Sequence, residues 1–242
     1  MRYFIHLSYD GTAYHGWQVQ PQAKSVQGTL QDALSLLLRR EVAVTGAGRT
    51  DTGVHAHHMV AHFDTDTPLD CAHMTYRLNG ILPHDIAIQC LQQVPDDLHA
   101  RFSATARTYH YYVHLSKSPF LRQYSWRLVR QPDFELMNAA ARILMEYDDF
   151  ASFARTGTDT KTTICHVTMA EWVQLDSDRW CFCIRADRFL RNMVRAIVGT
   201  LMEVGRGTLS LADFRRVIEH HDRSAAGDSV PAYGLYLQQV EY

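Results

Sequence analysis

Along residues 2–9, RYFIHLSY, the apolar side chains of Tyr3, Ile5 and Leu7 alternate with Arg2, His6 and Ser8. A period of two predicts a strand with one buried face, and Asp10-Gly11 ends it as a turn. The period then lengthens. Behind Ser25, a residue type that caps helices, Val26, Leu30, Ala33, Leu34 and Leu37 recur at helical spacing and predict a helix. A short strand is expected over 42–46, then a glycine-rich loop, then a second strand around 54–63. Residues 69–79 read as a helix whose start Pro68 favours, and 85–94 alternate Ile86, Ile88 and Cys90 as a strand. Strand, helix, strand, strand, helix, strand is the split βαβ order of ferredoxin-like folds.

The same order recurs downstream. Residues 107–115 (RTYHYYVHL) read as a strand, and 133–146 as a helix carrying Phe134, Met137, Ala140, Ala141 and Leu144. Strands are expected at 163–174 and 179–187, a helix over 189–204 and a closing strand over 234–240. No sequence repeat underlies this recurrence, so the duplication rests on element order. The polar stretch 95–106 falls at the junction, which divides the chain into 1–104 and 105–242. Segment 155–162, RTGTDTKT, reads as an exposed hairpin or mobile loop. The fold class expected is α+β, with two βαββαβ halves built on antiparallel sheets.

Composition narrows the classes. With 242 residues, 46% of them hydrophobic, the chain can build one large domain or two small ones. No apolar run approaches the roughly 20 residues of a membrane span. MRYFIHLSYDG mixes charge with alternation, so no secretory signal and no membrane partner is expected. Five cysteines without CxxC spacing (Cys71, Cys90, Cys165, Cys181, Cys183) point to reduced, mostly buried thiols and a cytoplasmic location. A formal net charge of −2 argues against coating nucleic acid by global charge, yet the arginines are clustered. Arg101, Arg107, Arg122, Arg127 and Arg130 crowd one stretch, and Arg188, Arg191 and Arg195 another.

Candidate chemistry centres on TGAGRTDTGVHA (45–56). The loop lacks the GK[ST] ending of a phosphate-binding P-loop and the spacing of a dinucleotide fingerprint. Its small residues would let a ligand approach the backbone, Arg49 offers a fork for phosphate or base, and Asp51 near a cation could act as nucleophile or base. Arg188, Arg191 and Arg195 fall at i, i+3 and i+7 and are expected to share a stripe flanking the apolar face of the helix RFLRNMVRAIVGTLMEVG. One of them could pair with an acid. Tyr109, beside Arg107 at the start of an aromatic strand, is placed to stack on an extruded base. His55, His57, His58 and His62 lack an HExxH pattern and a nearby cysteine pair, so surface and edge positions are expected and no metal site.

Six stretches, in order, resemble the TruA family of tRNA pseudouridine synthases. They are YDGTAYHGWQVQ (9–20), SVQGTLQDAL (25–34), AGRTDTGVHA (47–56), HARFSATARTYHY (99–111), RADRFLRNMVRAIVGTLMEVG (185–205) and YGLYL (233–237). The resemblance implies two ferredoxin-like (RRM-like) halves around a central cleft, and a homodimer without cofactor. It implies isomerisation of uridine to pseudouridine in the anticodon arm of tRNA, at positions 38, 39 and 40. By motif position, Asp51 is then the catalytic aspartate, Arg49 the arginine assisting base extrusion, Tyr109 the tyrosine packing on the target base, and Arg195 the basic partner of Asp51. The glycines of the loop would give clearance to the flipped nucleotide. Lys24, Arg39, Arg101, Arg107 and Arg188 are candidates for phosphate contacts. The alternative is an RRM-like RNA-binding module without catalysis, which leaves Asp51 in the glycine loop unexplained.

Overall fold

The alternating stretch near the start of the chain is strand β1 (Arg2–Tyr9), with Tyr3, Ile5, Leu7 and Tyr9 all buried. The computed structural model describes residues 1–157 and 161–242, so Thr158–Thr160 of the loop expected over 155–162 lie outside the described residues. Their neighbours Arg155–Gly157 and Lys161–Thr162 are exposed. The chain divides into two compact units, Met1–Thr105 with Tyr236–Tyr242, and Ala106–Leu235.

In the first unit, helix α1 (Val26–Leu38) starts where Ser25 Oγ accepts the Gly28 N–H at 3.1 Å, a cap that contributes about 1 kcal/mol. It buries Val26, Leu30, Ala33 and Leu34. Strand β2 shrinks to Thr45–Gly46 from the expected 42–46. Two side chains of α1 take the place of a ladder there: Gln27 donates to the Val44 carbonyl at 2.7 Å, and Gln31 accepts the Val44 N–H at 3.1 Å. Strand β3 (His55–Asp64) follows, then helix α2 (Cys71–Ile81) and strand β4 (Ile86–Val94). Asp70, not Pro68, sets the start of α2 by accepting the His73 N–H at 2.9 Å. The Asn79 side chain ties α2 to β4, bonding both backbone groups of Ile88 at 2.7 and 2.8 Å. The final strand, β9 (Leu235–Glu241), lies parallel to β3, giving the order β4-β1-β3-β9 with β2 alongside β3.

The second unit contains strand β5 (Ala106–His114), strand β6 (Trp126–Arg127), helix α3 (Phe134–Ile143), strands β7 (Val167–Gln174) and β8 (Arg179–Ala186), and helices α4 (Met193–Gly205) and α5 (Leu211–Glu219). Its strands run in the order β5-β8-β7, with β6 parallel to β5. Tyr111, Val113, Phe182, Ile184, Ala170 and Trp172 are buried, and Phe134 of α3 stacks on Trp180 at 3.9 Å and 8°. In α4, Gly199 packs directly on the Asp228 carbonyl, which leaves no room for a Cβ.

Three expectations are corrected. The sheets are not wholly antiparallel, because the β3–β9 and β5–β6 pairs are parallel. Each of those partners returns after a long connection, as parallel neighbours require. Helix α4 begins at Met193 rather than 189, because Asn192 adopts a left-handed backbone (φ 68°) and its side chain donates to Ser229 Oγ at 2.6 Å. Arg188 and Arg191 therefore precede the helix, and the three-arginine helical stripe does not form. The first residues of the strand expected over 163–174 are irregular, since the His166 N–H is taken by the Asp187 carboxylate at 2.7 Å. Helix α5, unforeseen, buries Phe214, Val217 and Ile218 and is capped by Ser210.

Candidate active site

The loop between β2 and β3 is bonded to its own unit on both sides of Asp51. Thr50 is buried, while Arg49 is exposed and Asp51 half-buried, so the chain alternates as it passes the carboxylate. The Thr50 hydroxyl meets the Tyr9 phenol at 2.9 Å, and its carbonyl accepts the Trp17 N–H at 3.2 Å. Beyond Asp51, the Val54 N–H donates to the Asp51 carbonyl at 3.1 Å and the Gly53 N–H to the Tyr14 carbonyl at 3.3 Å. At the loop's exit, His55 is buried, with Nδ1 3.1 Å from both the Gly11 nitrogen and Asp10 Oδ1. Its ring stacks on Tyr236 of β9 at 4.6 Å. The backbone on either side of Asp51 is thus fixed by groups drawn from β1 and the segment after it.

The three glycines of the loop have different jobs, which corrects the expectation that they clear space for a nucleotide. A Cβ at Gly46 would lie 2.5 Å from the Trp17 indole, so this glycine seats a tryptophan. Gly53 (φ 78°) supplies the left-handed turn that brings Val54 back toward Asp51. Only Gly48 of the three faces open space, with nothing within 4 Å of an added Cβ.

The cations expected around this loop differ in setting. The Lys24 ammonium sits 4.6 Å from the centre of the Tyr14 ring, a cation–π contact. The Tyr14 hydroxyl donates to Asp85 at 2.6 Å, and burial together with that carboxylate holds the phenol well above its ordinary pKa. Arg101 is exposed and lies over the Phe102 ring, and Arg39 ends α1 in a left-handed conformation (φ 54°).

The second unit carries the remaining candidates. Tyr109 is half-buried, set edge-on to Phe189 with ring centres 5.1 Å apart. The Arg107 guanidinium donates to the Asp187 carbonyl at 2.8 Å, and the Asp187 carboxylate accepts the Arg188 N–H at 2.7 Å. Arg107, Tyr109 and Arg188 therefore gather where β5 and β8 meet the 187–192 turn. Arg195, in the first turn of α4, donates through Nε to the Val230 carbonyl at 2.7 Å. Nearby, Tyr111 bonds the Pro231 carbonyl at 2.9 Å; burial holds its phenol well above the ordinary range, and the Arg195 cation opposes that rise.

The four histidines of β3 do not converge. His57 bonds Gln238 at 2.7 Å, His58 bonds His6 at 2.9 Å, and His62 accepts the Ala100 N–H at 3.2 Å. His55 and His62 are buried rather than at the surface. The supports missed by sequence reading are Tyr9, Trp17 and His55, none of which carries a local pattern that points at the loop.

Residues 6–103 and 140–242 match the family model described as tRNA pseudouridine synthase. The chain is 58% identical to a protein of Bacteroides thetaiotaomicron over all of this chain and 90% of that protein. It is 55% identical to one of Bacteroides fragilis and 54% identical to one of Porphyromonas gingivalis, again over all of this chain and over 96% and 97% of those proteins. All three relatives are named tRNA pseudouridine synthase A. The chain belongs to the tRNA pseudouridine synthase family.

Proposed function

We propose that Asp51 is the nucleophile with which this enzyme isomerises uridine to pseudouridine in tRNA, and that its targets are positions 38, 39 and 40 of the anticodon arm. The isomerase activity on tRNA goes with family membership. The observation that carries the residue assignment is a half-buried carboxylate at the centre of a loop whose backbone is bonded on both sides. A carboxylate held in that way needs little reorganisation before it reacts.

A uridine inside a stem must leave the stack, which costs a few kcal/mol. Arg49, exposed two residues before Asp51, assists that extrusion and holds phosphates. The Asp51 carboxylate then attacks the nucleotide at C6 of the base or at C1′ of the sugar. The glycosidic bond breaks and uracil turns; C5 bonds to C1′, the bond to Asp51 breaks to free the carboxylate, the C5 proton leaves with Tyr109 as base or relay, and N1 ends protonated. Arg195 is read as the basic partner of Asp51, a fork able to orient a carboxylate. Every atom remains within one nucleotide, so the steps call for no redox carrier. Lys24, Arg39, Arg101, Arg107 and Arg188 are assigned to phosphates, which position the RNA without reading its sequence.

We read the two units as ferredoxin-like halves, divided functionally at 104/105. The strand orders β4-β1-β3 and β5-β8-β7 support that reading. A homodimer working in the cytoplasm completes it, in keeping with five free cysteines. The test is to incubate the enzyme with unmodified tRNA transcripts and map pseudouridine by chemical-adduct primer stops. Wild type should place stops at the three positions, and Asp51→Asn should lower the rate by roughly 1,000-fold or more while tRNA affinity changes by no more than about threefold. Normal turnover in that variant would remove Asp51 from the chemistry. Stops elsewhere in the tRNA would overturn the assignment of the anticodon arm.

A further inference from the structure

On the sheet of the second unit, away from the residues assigned to isomerisation, two cysteines and a histidine share one face. Cys181 and Cys183 are two residues apart on β8, so their side chains leave the strand on the same side. His110 on β5 stands directly across from Cys183, and Tyr112 across from Cys181. One ligand atom each from His110, Cys181 and Cys183 lies within 4.8 Å of the other two, a convergence found at one place among the described residues. We propose that His110, Cys181 and Cys183 bind a soft closed-shell metal cation, Zn2+ or Cu+.

The geometry is close to what such an ion needs. The two sulfurs are 3.7 Å apart, and two thiolates on tetrahedral zinc, at 2.3 Å from the metal, are separated by about 3.8 Å. An imidazole nitrogen beside two sulfurs selects soft and borderline cations over magnesium or calcium. Both strands are paired in unbroken register from Arg107 to His114, so the ligands are held by regular sheet rather than by a loop. Cys181 is buried, whereas His110 and Cys183 are half-buried and reachable from solvent. Glu171 of β7, exposed and paired with Cys183, is the carboxylate at hand for a fourth position.

A disulfide fits less well. Cysteines two apart in a strand have Cα atoms separated by roughly 6.7 Å, at the upper edge of what the bond spans, so the strand would have to buckle. Although His110 adjoins Tyr109 in sequence, alternation sends the two side chains to opposite faces of β5. The metal would therefore pin β5 to β8 beneath Tyr109 and take no part in bond making.

The test uses the full-length enzyme, stripped with chelator under reducing conditions and titrated separately with Zn2+ and with Cu+. Co2+ serves as a spectroscopic probe of thiolate coordination. Wild type and Cys90→Ser, which lacks an exposed thiol of the other unit, should each take one equivalent per chain. They should also show the thiolate-to-Co2+ charge-transfer band and melt at higher temperature with metal bound. Cys181→Ser/Cys183→Ser should take none, His110→Ala should bind roughly tenfold more weakly or worse, and both should still isomerise uridine. Should the double variant fail to fold, Cys181→Ser and His110→Ala alone carry the comparison. Equal uptake by wild type and the cysteine variants would overturn the proposal. So would refusal of both metals, or recovery of a non-binding protein two hydrogens lighter, the mark of a disulfide. Metal analysis of the enzyme as purified, before stripping, distinguishes Zn2+ from Cu+.

Discussion

The hydroxyl pair beneath Asp51 allows a quantitative test of how the loop is held. Tyr9 and Thr50 are only 4% and 8% exposed and their hydroxyls are 2.9 Å apart. Tyr9→Phe removes the phenol oxygen and strands the Thr50 hydroxyl in a buried position. A lost hydrogen bond plus a buried unsatisfied group amounts to about 2 kcal/mol, a large share of a total stability of roughly 5–15 kcal/mol. Thr50→Val should cost a similar amount from the other side. The double variant, with both polar groups gone, should be scarcely worse than either single one, a coupling of about 2 kcal/mol. Urea unfolding of the four proteins measures this directly. The same bond fixes the backbone next to Asp51, so Tyr9→Phe should lower kcat while the KM for tRNA holds near the wild-type value. Strictly additive stability losses, or an unchanged kcat, would refute the reasoning.

Other consequences are open to measurement. Gly46→Ala places a methyl 2.5 Å from the Trp17 indole and should cost about 1–3 kcal/mol. Gly48→Ala, one turn of the loop away in open space, should cost no more than about 0.5 kcal/mol; thermal unfolding that reversed this order would contradict the division of labour among the glycines. His62 is 6% exposed, and burial, then the Arg2 cation and His99, push its pKa from 6.5 down to about 4. The unfolded chain takes up this proton first. Stability is therefore lost as pH falls from 6.5 through 4, by about 3 kcal/mol at most from this group. In urea titrations across that window His62→Gln should show a shallower pH dependence than wild type, and parallel curves would exclude His62 as the source. Arg195→Lys replaces a fork by a point charge and should slow turnover by roughly 100-fold with tRNA affinity nearly unchanged. Wild-type kinetics in that variant would dissociate Arg195 from Asp51.

Much of this was legible in the chain because local signals and burial agree. Ser25 with the helical run behind it yields α1, and the alternation of 2–9 yields β1, since each stretch buries the face its own period defines. The signals failed where a distant group decides. Phe189 and Leu190 extend the apolar spacing of α4 backward, but the left-handed Asn192, bonded to Ser229, stops the helix short of them. Val42 and Val44 look like a strand and are buried like one, yet helix glutamines take the backbone bonds of Val44. Helix α5 had a readable start, Ser210 followed three residues later by Asp213, and a clean apolar stripe. At the candidate site, Arg49 and Asp51 announce themselves by type and setting. The Tyr9 and Trp17 that hold them do not, because their roles exist only once the chain has folded back.

Strand β2 does not pair with the start of β3 but with its far end, Thr45 opposite His62 and Gly46 opposite Ala61. The loop must run back along the strand it is about to enter, while bonds to Tyr9, Tyr14 and Trp17 fasten it on the way. A segment tied in that manner has no low-energy opening of its own. The bonded Ala47, Gly53 and Val54 amides should exchange with solvent only when the surrounding sheet comes apart, and catalytic competence and the integrity of the first unit become a single equilibrium. A substitution far out on β1 that loosens the sheet would then surface first as a slow enzyme.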